Sequence, residues 1–167
     1  MLDADVINHF YRGGLLPILP KILPEFQYIV LDVVKKELPI VILSSLSKLI
    51  DQEKSVKEEV FGGSSGEKKE YFRLTATTGL HLGKGESACM VYCRYHNDVV
   101  GSNNTRDVAA YCDQYGITYL TTNDFLFYAI RRGILSKTQA EEFIRKVRSM
   151  GSYPEVVDFD TYTCGKI

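Results

Sequence analysis

The stretch Gly83-Lys84-Gly85-Glu86-Ser87-Ala88-Cys89-Met90 opens the region, residues 83–116, that decides the fold. Glu86 lies on the same predicted helical face as Cys89 and Cys93, because residues three, four and seven apart share one side of a helix. An apolar face of this kind packs inward. We therefore expect the Glu86 carboxylate to need a partner.

A second predicted helix follows, with Asp107 in its first turn and Val108, Tyr111 and Cys112 on its core face. A short apolar run, residues 98–101, lies between the two helices and is predicted to be a strand. Alternating helices and strands are typical of a parallel α/β sheet. In such sheets binding sites form beyond the carboxyl ends of the strands, where the following helices begin.

Length and composition fit one globular domain. The chain has 167 residues, of which 45% are hydrophobic and 25% charged, and its formal net charge is -1. A charge so close to zero gives no global basic field, so any polyanion site must be a local patch. The sequence shows no signal peptide and no apolar run long enough to cross a membrane, and we predict a cytoplasmic protein that does not act on membranes.

The four cysteines are predicted to be reduced and buried, as in a cytoplasmic protein. Cys89 and Cys93 have a spacing at which two thiolates can share a metal ion, but no second pair completes a zinc site. Three histidines, His9, His81 and His96, are scattered along the chain and are predicted to be structural or exposed rather than catalytic.

The remaining segments are assigned from hydrophobic periodicity and cap signals. Further strands are predicted up to about Asp3 and at residues 28–31, 71–76, 117–120 and, at a sheet edge, 156–162. Further helices are predicted from an Asp32 cap to residue 38, over residues 40–50, from the cap at residues 121–124 to Gly133, and after a Ser136–Gln139 capping box. A glycine- and serine-rich part, around residues 62–70, is predicted to be a flexible surface loop.

Carboxylates near predicted strand-to-helix turns are the candidate catalytic and metal-binding groups. Asp3, Glu37, Glu86 and Asp107 come from four separated segments, and we predict that Asp3, Glu37 and Glu86 surround one cavity. Converging carboxylates repel one another, which raises their pKa values unless a cation neutralises them. Hard oxygen ligands suit Mg²⁺ or Mn²⁺, and such ions assist in-line displacement at phosphorus.

Several motifs, in this order, resemble those of the PIN-domain family. Leu2-Asp3-Ala4-Asp5-Val6-Ile7 resembles the opening of the family, and Val33-Val34-Lys35-Lys36-Glu37-Leu38 resembles its second acidic motif. Gly83-Lys84-Gly85-Glu86-Ser87-Ala88 resembles the third, and residues 98–117 with Thr121-Thr122-Asn123-Asp124 resemble the fourth and its sequel. The resemblance implies a three-layer α/β/α sandwich on a mostly parallel sheet of about five strands. It also implies Mg²⁺- or Mn²⁺-dependent endoribonuclease activity and frequent use as the toxin of a toxin–antitoxin pair.

The resemblance assigns catalytic roles to Asp3, Glu37, Glu86 and Asp107, and metal binding to Asp3, Glu86 and Asp107. The chain departs from the family pattern in one place: Ser102-Asn103-Asn104 stands where many members have an acid, and the acid follows only at Asp107. Asn104 is therefore an alternative neutral ligand. Asp5 and Asp124 are reserve ligands.

Basic residues beside these acids are candidates for RNA contacts. Lys84 precedes Glu86 and Arg106 precedes Asp107, so we expect both to bind backbone phosphates. Arg131 and Arg132 lie at the far end of a predicted helix and are expected to contribute less. RNA is the expected partner, and an antitoxin protein and a second copy of the chain are left open.

Two other functions and several structural roles compete with this interpretation. Asp3-Ala4-Asp5-Val6 also resembles the opening of haloacid-dehalogenase-type phosphatases, with Asp3 as nucleophile and Asp5 as general acid. A catalytically degraded PIN-like module that binds RNA or protein is the non-enzymatic alternative, motivated by Asn103 and Asn104. In purely structural terms, Glu86 serves a helix cap at Gly83, and Asp107 stabilises a helix dipole.

Overall fold

A computed structural model of the chain describes residues 1–76 and 82–167. In the described part the chain is mixed α/β and mainly helical, with short strands. The α-helices are α1 Ala4–Gly13, α2 Leu19–Ile22, α3 Asp32–Lys35, α4 Ile40–Ser47, α5 Ser65–Ala76, α6 Lys84–His96, α7 Thr105–Tyr115, α8 Thr122–Arg131 and α9 Lys137–Ser149. The strands are β1 Tyr28–Leu31, β2 Val56–Glu59, β3 Val100–Gly101 and β4 Tyr119–Leu120, and a π-helical turn, Lys48–Gln52, extends α4.

The strands form two small parallel sheets, and the predicted five-stranded sheet is not shown. β1 pairs with β2, and β3 pairs with β4, each in parallel register. The predicted first strand is reduced to a single parallel bridge from Leu2 to Gly101. The backbone of this segment still contacts both sheets, because Leu2 N donates to Ile29 O (2.8 Å) and Gly101 N donates to Met1 O (2.8 Å).

These backbone contacts place the carboxyl ends of neighbouring parallel segments side by side. Asp3 N donates to Gly101 O (2.9 Å), and Ser102 N donates to Leu120 O (2.9 Å). The turns that follow Leu2, β3 and β4 therefore leave neighbouring backbones side by side. Polar residues at these turns must lie near one another, as the parallel arrangement predicts.

The core is formed where helices cover these short strands. Side chains with no exposed surface include Val6, Ile7 and Phe10 of α1, Val30 and Leu31 of β1, and Ala88, Cys89 and Met90 of α6. Phe10 stacks at a tilt against Phe143 of α9, with ring centroids 5.1 Å apart. The predicted inward face of α9 is confirmed, since Ala140, Phe143, Ile144 and Val147 are all buried. The four cysteines are free and buried, as predicted.

Cap chemistry explains where several helices begin. Thr121 and Asp124 form a reciprocal capping box at α8, within the predicted cap at residues 121–124, and Ser136 and Gln139 form the capping box that their spacing predicts at α9. The strand prediction for residues 28–31 is confirmed by β1. The predicted strands at residues 98–101 and 117–120 are present but shorter, as β3 and β4.

The predictions for residues 62–76 are wrong. A helix, α5, begins at Ser65, where we expected a flexible loop followed by a strand at residues 71–76. Ser64 and Glu67 explain the helix, because Ser64 N donates to Glu67 Oε2 (2.7 Å) and Glu67 N donates to Ser64 Oγ (3.1 Å). Glu67 and Leu74, seven residues apart, both face inward.

Three smaller predictions also need correction. The charged run contains an edge strand, β2, of which Val56 is buried. Residues 156–162 do not form the predicted strand, since Thr161 N and Tyr162 N both donate to Asp158 O in a turn. Leu31 rather than Asp32 is the N-cap of α3, and this helix ends at Lys35. Throughout the described ranges, the helices are too short or too polar to span a bilayer.

Candidate functional site

Asp3 and Asp5 begin the site at the start of α1. Asp3 is the N-cap, and its Oδ1 accepts a hydrogen bond from Ala4 N (2.8 Å). Asp5 lies in the first helical turn rather than in an extended segment. The helix nevertheless turns both carboxylates toward Ser102, because an N-cap and a first-turn side chain point at the same helix end.

Ser102 links these two carboxylates. Its Oγ lies 3.2 Å from Asp3 Oδ2 and 3.4 Å from Asp5 Oδ2, and the residue is completely buried. A serine hydroxyl has one proton to donate. Two ionised carboxylates therefore compete for a single hydroxyl proton. This neutral donor does not compensate their two negative charges.

The β3–α7 turn provides the remaining donors for Asp5. Asn103 N donates to Asp5 Oδ2 (2.6 Å), and the Val6 N–H donates to Asp5 Oδ1 (2.6 Å). Ser102 and Asn103 were not among the predicted site residues. The signal that could have found them is their position, directly after a strand of a parallel sheet.

Asn103 also connects the site to a buried polar network. Its Nδ2 donates to Thr122 Oγ1 (2.7 Å), and Thr122 N donates to Asn103 Oδ1 (3.0 Å). His9 Nδ1 lies 2.9 Å from Thr122 Oγ1. Burial, with the nearby Arg12 charge, lowers the pKa of His9 to about 4, so the imidazole is neutral near pH 7. His9 is thus structural, as predicted.

Glu86 approaches the aspartates from the first turn of α6. The helix packs on the amino-terminal segment, since Cys89 Sγ lies 3.7 Å from Leu2 O. Burial raises the pKa of Glu86, whereas the Asn104 side chain and the Gly83 N–H, which lie near its carboxylate, lower it. Glu86 thus lies near both the Gly83 backbone and the β3–α7 turn.

Burial and mutual repulsion raise the pKa values of these acids. Burial raises the pKa of Glu86 to about 7, with the Asp5 and Asp107 charges adding to the effect. Burial raises the pKa of Asp3 well above its usual range, and the Asp5 and Glu86 charges contribute. Burial also raises the pKa of Asp5. Four predicted acids, Asp3, Asp5, Glu86 and Asp107, are thus near enough to act on one another.

Asn104 lies beside two of these acids, Glu86 and Asp107. Its Nδ2 donates to Asp107 Oδ2 (3.0 Å), and its side chain lies near enough to Glu86 to lower the pKa of that carboxyl. Asp107, in the first turn of α7, is half-buried. Asn104 and Asp107, the two residues predicted for the fourth acidic position, therefore lie next to each other. Asn104 is the hydrogen-bond donor and Asp107 is the acceptor.

Glu37, predicted to be a catalytic residue around one cavity with Asp3 and Glu86, lies at the surface beside the start of α6. It is exposed, and its Oε1 accepts a hydrogen bond from Gly85 N (2.8 Å). Gly85 is required for this approach, since a Cβ there would lie 2.5 Å from Glu37 Oε2. Glu37 thereby satisfies one of the free N–H groups at the start of α6, the helix that carries Glu86.

Some of the other predicted residues lie exposed beside the acids of the site, and the rest make contacts elsewhere in the chain. Lys84 and Arg106 are exposed beside Glu86 and Asp107, as predicted. The Asp124 carboxylate is committed elsewhere: Oδ1 accepts from Tyr162 Oη (2.7 Å), and Oδ2 accepts from Lys166 Nζ (2.9 Å) and Thr121 N (2.7 Å). Arg132 pairs with Glu25. His96 bonds Glu67, and His81 lies outside the described residues.

The donor set suits a hard divalent cation. Carboxylates from Asp3, Asp5, Glu86 and Asp107 and the amide oxygen of Asn104 are the ligand types that Mg²⁺ and Mn²⁺ prefer. Within residues 1–76 and 82–167, however, no three His, Cys, Asp or Glu side chains are already arranged around a single metal position. Ser102 and Asn104 hold the carboxylates by hydrogen bonds, so binding a cation requires these side chains to rotate.

Comparisons with protein-family models, with curated proteins and with solved structures give no match for this chain.

Proposed function

We propose that the chain is a Mg²⁺- or Mn²⁺-dependent endoribonuclease of the PIN-like type. One observation carries the proposal: Asp3 and Glu86, from segments far apart in sequence, are both buried, and they lie near enough that the Glu86 charge raises the pKa of Asp3. A cluster of acids with raised pKa values at the carboxyl ends of parallel strands is the electrostatic signature of a functional site. Neutralisation of this excess negative charge is what a divalent cation provides.

The proposed fold is the PIN-like three-layer sandwich on one parallel sheet. Support comes from the backbone bonds of Leu2 to Ile29 on one side and of Asp3 to Gly101 on the other. In the proposed fold, the amino-terminal segment is the fifth strand and joins β1–β2 to β3–β4. The site then lies at the carboxyl edge of that sheet.

In this mechanism Asp3, Glu86 and Asp107 are the carboxylates that hold the cation, with Asp5 and Asn104 beside them. A bound divalent ion lowers the pKa of water and stabilises the charge that develops on a phosphodiester during in-line displacement. Ser102 orients Asp3 and Asp5, since it bonds both. Glu37 positions the start of α6, and Lys84 and Arg106 bind phosphates on either side of the site.

A cleavage assay on single-stranded RNA tests the proposal. Wild-type protein should cleave in Mg²⁺ or Mn²⁺ and not in excess chelator. Asp3→Asn and Glu86→Gln should each lower the rate by at least about 100-fold, because each keeps the shape of the side chain and removes a charge. Asp113→Asn, at an exposed acid of the same helix as Asp107, should cleave like wild type. Equal cleavage by all four proteins, or cleavage in chelator, would refute the proposal.

The phosphatase alternative keeps one supporting observation. Asp3 and Asp5 share the Ser102 hydroxyl, so they lie as close as a nucleophile and its general acid require. The alternative gives Glu86 no role, although Glu86 acts on the pKa of Asp3. A covalent phospho-aspartate at Asp3, found after incubation with a phosphate ester, would favour the phosphatase.

The non-enzymatic alternative, a PIN-like module that binds RNA or protein, also has an observation in its favour. Asn104 already donates to Asp107 and lies beside Glu86, and these are two carboxylates that the nuclease needs for a cation. RNA binding in chelator, combined with no cleavage in Mg²⁺ or Mn²⁺, would favour this alternative.

A further inference from the structure

A polar groove lies beside the carboxylate site. It is formed by the β3–α7 turn, the β4–α8 turn and the segment after α9, and its lining residues are Asn103, Thr105, Thr121, Asn123, Tyr153, Pro154 and Glu155. Its volume of about 420 Å³ is within the range of small-ligand pockets. Asn103 belongs to both places, because its N–H also donates to Asp5. A ligand in the groove therefore reaches the edge of the acidic cluster.

Tyr153 gives the groove a flat aromatic wall. Its side chain is 73% exposed, an unusual situation for so large a ring. The Arg148 guanidinium lies 5.5 Å from the ring centroid, and Arg148 Nη1 donates to Pro154 O (3.0 Å). An exposed aromatic ring with an arginine beside it is the arrangement on which unpaired nucleobases stack.

The floor of the groove has an unmet hydrogen-bond acceptor. Asn123 is 3% exposed, and its Nδ2 donates to Glu155 O (3.1 Å), whereas Oδ1 has no partner among the described residues. A buried acceptor without a donor is unfavourable. Oδ1 is closed to bulk water.

We propose that this groove binds one unpaired base of a single-stranded RNA, stacked on Tyr153, next to the phosphate at the carboxylate site. The inference rests on the proposed function for its ligand. The Thr105 hydroxyl lines the groove beside the base, while Arg148 supports the ring and adds positive charge near the backbone.

Binding of a short fluorescent oligoadenylate, measured by anisotropy in chelator so that no cleavage occurs, tests the subsite. Tyr153→Ala should weaken binding about 10-fold, because loss of one stacked base has an effect of this size. Tyr153→Phe keeps the ring and should bind within about 2-fold of wild type. Tyr95→Ala is the matched control, since Tyr95 is also exposed and also has an arginine, Arg94, 5.5 Å from its ring centroid. Its binding should be unchanged.

A second measurement locates the base without depending on catalysis. In ¹⁵N-labelled full-length protein, adenosine monophosphate should shift the Asn123 side-chain amide signals, and the shift should vanish in Tyr153→Ala. Undiminished binding by Tyr153→Ala, an equal loss in Tyr95→Ala, or no binding by wild type would each overturn the subsite. If the wild-type protein cleaves RNA only with metal and Tyr153→Ala binds RNA as wild type does, the subsite is refuted and the proposed nuclease function is not. Loss of binding in Tyr153→Ala without any cleavage supports the subsite and refutes the nuclease.

Discussion

Asn104 donates a hydrogen bond from its side-chain amide to Asp107 Oδ2 over 3.0 Å. The same side chain lies beside Glu86, whose pKa is raised by burial and by the Asp107 charge. Under the proposed function, this neutral amide stabilises the neighbouring acids in the absence of a cation, and we expect a bound cation to compete with it.

Substitution of Asn104 by Asp should increase the demand for a cation. Asn104→Asp removes a donor and adds a charge beside Glu86 and Asp107, so we expect a lower melting temperature in chelator and divalent binding at least about 10-fold tighter than wild type. Asn104→Ala removes the donor without adding charge and should tighten binding much less. Isothermal titration with Mn²⁺ measures both. Equal affinities for the two variants would show that Asn104 does not border the cation position.

The raised pKa of Glu86 predicts how stability depends on pH. The usual value near 4.5 is raised to about 7 in the folded protein, so the folded state holds the proton more tightly than the unfolded state. The resulting stabilisation is complete below about pH 4.5 and is lost as the pH rises through about 7. Glu86→Gln cannot lose it and should gain roughly 2–3 kcal/mol over wild type between pH 4.5 and 8.

Urea unfolding at a series of pH values, in chelator, gives this difference directly. Asp3 and Asp5 change stability in the same direction, while His9, with its lowered pKa, changes it in the opposite direction. The comparison of wild type with Glu86→Gln cancels the His9 contribution, while the measured difference includes the effect of the Glu86 charge on Asp3 and Asp5. Parallel curves for the two proteins would mean that Glu86 titrates normally. Added Mn²⁺ at pH 8 should restore stability to wild type and not to Glu86→Gln.

Lys84 and Arg106 are expected to bind RNA phosphates. Each is exposed beside an acid of the site, so Lys84→Ala and Arg106→Ala should each weaken RNA binding and lower the slope of log affinity against log salt by about 1. Arg131→Ala is the control, because Arg131 lies at the far end of α8 against the Phe127 ring. A larger loss in Arg131→Ala than in the other two would place the RNA on another surface.

Packing between α1 and α9 predicts a stability effect away from the site. A Cβ at Gly13 would lie 2.1 Å from Phe143 Cδ2, so the ring or the helix must move. Gly13→Ala should destabilise the fold by roughly 1–3 kcal/mol, despite the better helix propensity of alanine. Gly165→Ala, where a Cβ meets no atom within 4 Å, should change stability little. Thermal melts of both variants decide the point, and an unchanged Gly13→Ala would contradict the packing.

Sequence reasoning was most successful where one local signal was sufficient. The capping boxes at Thr121 and Ser136 and the inward face of α9 follow from residue spacing alone. Asp3 and Glu86 were found because acids beside strand-to-helix turns have few other uses. Residues 65–76 were misjudged because the alternation of apolar residues outweighed the Ser64–Glu67 capping signal.

Other features depended on partners distant in the chain. Ser102 became part of the site only through its contacts with Asp3 and Asp5, about a hundred residues earlier. Glu37 lies in an exposed turn. Its hydrogen bond with Gly85 N joins two segments that are distant in the sequence, so the residues around Glu37 do not predict it. Asp124 was a reserve ligand by position, but Tyr162 and Lys166 from the end of the chain bind its carboxylate.

The central claim is that Asp3 and Glu86 hold one divalent cation together, and Mn²⁺ binding followed by electron paramagnetic resonance tests it most directly. Free Mn²⁺ gives a sharp signal that disappears on binding, so the measurement needs neither RNA nor activity. We predict that wild type and Asp113→Asn bind Mn²⁺ equally and that Asp3→Asn and Glu86→Gln each weaken binding at least about 10-fold. Wild-type protein that binds no Mn²⁺, or two variants that bind as wild type does, would contradict the account.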